Sequence, residues 1–154
     1  MSPQPTPIQT LLGCVRTLLA DIVAANGYWT DAGADAQVGG EQILDDSNTG
    51  CAVAVVWEKS SRAPEGLHLS HRQVQFGVLI KCPASVLDAH QQTLKVADDV
   101  EKALRDRQRS YPAGFRHPEF IESGPIRSED AAGWVGVLAH YTSVIPITTK
   151  GTTP

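Results

Sequence analysis

Any chemistry this chain performs would have to come from its five histidines, its three cysteines and a few adjacent carboxylates. His68 and His71 stand three apart at the mouth of an extended segment. An i, i+3 pair there points to opposite faces and could converge on one metal ion only through a bend in the loop. His90 and His117 stand alone. His140 falls with Trp134 and Leu138 on the side of an alternating run opposite the apolar one, where a contact residue is expected rather than a ligand or a base. Cys14, Cys51 and Cys82 are odd in number and far apart in sequence, with no C-x-x-C pair. That supports neither a disulfide framework nor a zinc site, and leaves three reduced, mostly buried thiols serving as small apolar side chains. Asp45-Asp46, Asp98-Asp99 and Glu129-Asp130 are adjacent along loops or a helix surface, whereas acid–base catalysis needs two carboxyl groups facing each other across a cleft. All three pairs are expected to be solvated.

Motifs that carry catalysis locally are also missing. Gly39-Gly40-Glu41 lacks the Lys and Ser or Thr that complete a phosphate-binding loop. Ser123-Gly124 is a turn signal and not a nucleophile elbow. No catalytic residue, metal ligand or cofactor is therefore expected. The enzyme or ligand-binding alternative would need a site assembled from dispersed residues such as Asp31, His71 and His140. Interaction surface is the stronger expectation. Tyr28 and Trp29, beside Asp31, either close over a core or anchor a partner. Arg62, Glu65 and His68 sit in an exposed loop. Arg105 and Arg107, with Arg109, complement a helix C-terminus and are candidates for partner contact, as is His140.

The elements that must position these residues are legible from periodicity. Ile8, Leu11, Leu12, Val15, Leu18, Leu19, Ile22 and Val23 predict an amphipathic helix over 7–25, opened by Pro7 and stopped by Asn26-Gly27. Residues 28–48 read as loop, with an edge strand at Gln37-Val38. Cys51 to Glu58 reads as a strand apolar on both faces and covered on both sides. His71 to Cys82 alternates, with Val74, Phe76, Val78, Ile80 and Cys82 inward and Gln73, Gln75 and Lys81 outward. The composition of 59–70 predicts an exposed hairpin loop, so the two strands should be antiparallel. Ser85 is the expected cap of a second helix to about residue 108, with Leu87, Leu94, Ala97, Val100, Ala103 and Leu104 apolar and Asp98, Asp99, Glu101 and Lys102 solvated. A short strand around Phe120 and Ile121 should break at Gly124-Pro125. Residues 134–147 form the last strand, with Val135, Val137, Ala139, Tyr141 and Ile145 inward. The expected fold is α+β: an antiparallel sheet of four to five strands with two helices packed on one face, forming one domain over 1–154 with flexible ends at 1–6 and 148–154.

A net charge of −4 argues against a surface built to neutralise phosphates. The polar, Pro-rich start lacks the pattern of a secretory signal, and the apolar runs are too short to span a membrane, so the chain reads as soluble and intracellular.

Several local words, in order, resemble the tail terminator and minor tail proteins of siphophages. These are Asn26-Gly27-Tyr28-Trp29-Thr30-Asp31-Ala32-Gly33 with Val38-Gly39-Gly40 after the first helix, then Val53-Ala54-Val55-Val56-Trp57-Glu58, the helix Val96-Ala97-Asp98-Asp99-Val100-Glu101-Lys102-Ala103-Leu104, and the closing strand from Trp134 to Ile145. The resemblance covers about residues 8–147 and rests on element order and local words. It implies an α+β virion protein of the tail neck, assembled in the host cytoplasm as a hexameric ring on the last ring of the tail tube. Such a ring halts tube polymerisation and presents a face to the head connector, with DNA passing through the lumen unbound. It implies no catalytic residues. The loop 59–70 and the tail 148–154 are its candidate axial contacts. A head completion or neck connector protein is the neighbouring alternative.

Overall fold

A computed structural model describes residues 4–39, 50–126 and 133–147. Thr6 caps helix α1 (Pro7–Leu19): its hydroxyl accepts from the Gln9 backbone N–H, and the Gln9 side chain accepts from the Thr6 N–H, closing a capping box with Pro7 in the first turn. The helix ends six residues earlier than its periodicity predicts. After Leu19 the chain turns sharply, Ile22 stays fully buried, and Gly27 at φ 88° closes a separate 3-10 turn over Ala24–Asn26. Gly33 explains the early stop. It packs so tightly on the end of α1 that a Cβ there would overlap the Leu19 carbonyl oxygen, and its N–H donates to Ile22 O at 2.9 Å. A helix continued to residue 25 would occupy that space.

Strand β1 (Gln37–Val38) lies at one margin of a five-stranded sheet with β2 (Ala52–Arg62), β3 (His71–Pro83), β4 (Glu119–Ile126) and β5 (Trp134–Pro146), in the order β1-β2-β3-β5-β4. All neighbours are antiparallel except β1 and β2, which run parallel, so the sheet is mixed and not purely antiparallel. The β2–β3 hairpin reaches further than composition suggests. Lys59–Arg62 belong to β2, which leaves only residues 63–70 as the connection. Strand β4 runs through Gly124-Pro125 without a break, because a marginal strand can leave the position of a missing N–H facing outward.

Helix α2 (Ala89–Leu104) starts after Asp88, which sits at φ 54° and makes no side-chain cap, so Ser85 is not the cap. Leu87 therefore precedes the helix and is 84% exposed, not part of its apolar stripe. The helix ends at Leu104, and Arg105 and Arg107 lie beyond its last turn.

The core is one cluster between the helices and one sheet face. Leu11, Val15 and Leu19 of α1 and Val96, Val100 and Leu104 of α2 meet Val53, Val55, Phe76, Val78, Ile80 and Tyr141. Each such side chain contributes about 1.5–3 kcal/mol of burial. Phe76 and Tyr141 stack at 5.7 Å between β3 and β5. The opposite sheet face is lined by no helix among the described residues. Ala52 and Ala54 are nonetheless hidden there, packed with Leu79 of β3. Their small size permits this.

Candidate interaction surfaces

The sequence-predicted contact residues fall into three separate places. Trp29, Arg105 and Arg107 come together at the end of α2, where with Asp98, Glu101, Lys102 and Asp106 they line a groove of about 570 Å³. Trp29 is 72% exposed. Its position is fixed from beneath by a carboxylate that the sequence suggested was solvated. Asp99 is fully buried and accepts three hydrogen bonds, from Trp29 N and Thr30 N at 2.9 Å and from Thr30 Oγ1 at 2.8 Å. Lys102 is exposed but tied to the same corner: its ammonium donates to Gly27 O at 3.0 Å and lies 4.9 Å from the centre of the Tyr28 ring. Tyr28 packs against the core, and Asp31 accepts from Ala24 N at 2.7 Å. Tyr28 and Asp31 are thus accounted for by their own chain, while the Trp29 ring is not. Arg105 pairs with Glu101 at 3.7 Å on the exposed surface, a contact worth little by itself.

The second place is the base of the β2–β3 hairpin. Arg62 and His68, with Ser60, Ser61 and Arg72, line a cleft of about 380 Å³. Arg72 donates to the His68 and His71 carbonyls, and His71 Nδ1 is 2.7 Å from Ser70 Oγ. Leu69 at the tip is 85% exposed, and Glu65 in the same loop is also exposed. The cleft is basic and carries no carboxylate.

The third place is the open sheet face. His140 of β5 and Glu58 of β2 meet at 2.8 Å although β3 runs between their strands. Gly77 of β3 makes this possible, because a Cβ there would stand 2.8 Å from Leu138 Cδ1 and 3.1 Å from Glu58 Oε1. The two side chains are about three-quarters buried. Lys81 lies 4.4 Å from the centre of the Trp134 ring on the same face.

Asp31, His71 and His140 do not converge. They occupy the helix layer, the end of β3 and the middle of the open sheet face, and each has a different local partner. Among the described residues no three His, Cys, Asp or Glu side chains are grouped to hold a metal ion. Among the described residues no helix is long and apolar enough to cross a membrane. Two cysteines that are distant in sequence do become neighbours: the β2–β3 register places Cys51 across from Cys82, where burial and the contact with Cys82 push the Cys51 thiol up from its ordinary pKa. Both thiols are free. The acidic pairs at 45–46 and 129–130, and the tail 148–154, lie outside the described residues.

The sheet margins complete the set. On β2, β1 pairs only with Ala54 and Val55. From Trp57 to Arg62 the outer side of β2 has no partner strand among the described residues, and a bulge falls between Trp57 and Lys59. On β4 the outer side, Glu119 to Ile126, has no partner strand among the described residues, and Phe120 and Ile121 are each 46% exposed. Unpaired N–H and C=O groups along such margins are ready-made sites for another strand.

No protein-family model matches this sequence, and no curated protein does. Among solved structures, a chain of the virion of the native gene transfer agent (GTA) particle has the same architecture, with a TM-score of 0.63 over 93% of this chain and 99% of that chain. Sequence identity between them is 13%. What this chain shares with that virion chain is thus its α+β fold, over 93% of its length.

Proposed function

We propose that this chain is a structural virion protein acting as a tail terminator: a ring of copies that caps the tail tube, stops its polymerisation and joins the tail to the head connector. The observation that carries this reading is the near end-to-end likeness of its fold to that of a virion chain. The architecture suits such a role, since among the described residues backbone is left unpaired at both margins of the sheet, which offers a subunit in a closed ring one edge for each neighbour. The expected ring has six copies, the number implied by the tail terminator resemblance. Its partners are the tail tube protein on one face and the head connector on the other, with DNA passing through the lumen unbound. Trp29, with Arg105 and Arg107, and the basic hairpin cleft around Arg62 and His68 are the candidate axial contacts.

The test is to add the purified protein to its cognate tail tube protein while the tubes elongate, and to image the tube ends by electron microscopy. A terminator arrests elongation and appears as a cap at one end. Continued elongation with bare ends, or binding to portal particles in place of tubes, would overturn the assignment.

A further inference from the structure

Building on the ring reading, we propose that neighbouring copies join by antiparallel strand pairing, the outer edge of β2 at Trp57–Arg62 in one copy against the outer edge of β4 in the next. Three observations lead there. The first is direction. Along the sheet, β2 is antiparallel to β3, β3 to β5 and β5 to β4, so β2 and β4 run in opposite senses. A second copy rotated about an axis roughly along the strands therefore brings its β4 alongside β2 already antiparallel, with the same sheet face forward. No flip is needed.

The second is charge. On the open face the β2 edge carries Lys59, whose neighbour across the register is Gln75, while the β4 edge carries Glu119 and Glu122, set across from Thr142 and His140. Head-to-tail pairing sets Lys59 among the two glutamates. The twofold alternatives do the reverse: β2 on β2 brings the Lys59 side chains of the two copies together on the open face, and β4 on β4 brings the glutamates together, and like charges across a strand pair are destabilising. The charge pattern thus selects the heterologous contact, the kind that closes into rings.

The third is apolar surface. Trp57 and Phe120 lie at the two margins on the helix side of the sheet, in register with Phe76 and Tyr141, and are 52% and 46% exposed in a single copy. The pairing places them along one seam.

Charge reversal tests this. Lys59→Glu is one variant; Glu119→Lys with Glu122→Lys is the other. All three positions are exposed, so each variant should keep the wild-type melting temperature and circular dichroism. The readout is ring mass, in solution or on tail tube ends. Each variant alone should lose most of its rings at a concentration where the wild type is mostly ring. An equimolar mixture should regain them, because an alternating ring of even number meets opposite charges at every joint. Wild-type rings that persist in both variants, or losses the mixture does not reverse, would overturn edge pairing while leaving the ring itself intact. If the wild type forms no ring, alone or on tubes, the inference and the terminator reading fall together.

Discussion

The corner around Asp99 and the margins of the sheet hold similar polar and aromatic residues, yet their groups end up differently. At the corner three polar side chains are bonded within the chain: Asp99 to the Trp29–Thr30 backbone, Lys102 to Gly27, Asp31 to Ala24. At the margins, Lys59, Glu119 and Glu122 flank unpaired backbone with exposed Trp57 and Phe120 nearby. The first arrangement serves folding; the second is where the association proposed above would act. Residue type does not separate them. Whether the hydrogen-bonding capacity is used up inside one copy does.

Substitutions at the two regions should therefore separate stability from assembly. The largest effect is expected for Asp99→Ala, which leaves three donors without their carboxylate and should cost about 3–5 kcal/mol in denaturant unfolding. A loss under 1 kcal/mol would mean that this corner is not holding the fold. Next, Gly77→Val on β3 should cost about 1–3 kcal/mol, since its side chain has to displace Leu138 or the Glu58 carboxylate. Glu58→Gln should cost about 1 kcal/mol through the bond to His140, and this pair sharpens the contrast because it lies on the open face but is satisfied internally. Smallest is Tyr111→Phe. The Tyr111 hydroxyl is buried with no partner among the described residues, so removing it should leave stability at neutral pH unchanged or slightly raised.

Tyr111 and Tyr141 also set the response to alkali. Burial pushes both phenols above their ordinary pKa, so the folded protein favours the neutral form. Their contribution is complete below the unfolded value of about 10 and is lost as pH rises through the higher folded values. The melting temperature should therefore fall above about pH 10, and less steeply in Tyr111→Phe. An identical alkaline slope in the variant would assign the effect to other groups.

Local periodicity was enough to read the start of α1, the long strands β2, β3 and β5 with their inward faces, and the short β1. It failed where a distant segment competes with a local pattern. Ile22 continues the apolar spacing of α1, but Gly33 takes the space a longer helix would need. Asp99 reads as one more charge on a wet helix face, and its donors lie about seventy positions away in sequence. Leu87 fits the stripe of α2 by spacing and falls outside it because the helix begins at Ala89. Among the candidate contact residues, Trp29, Arg105 and Arg107 were found by type and do share a groove, whereas the Glu58–His140 pair required knowing that Gly77 lies between them. The open margins were not legible at all, since they depend on strand order.

The most direct test of the central claim is the solution mass of the purified protein by light scattering, alone and after incubation with tail tubes followed by recovery of the tube-bound fraction. The expected result is a closed ring of six times the 16.5 kDa chain mass, in free solution or fixed at tube ends. A monomer that ignores tubes at every concentration would contradict it.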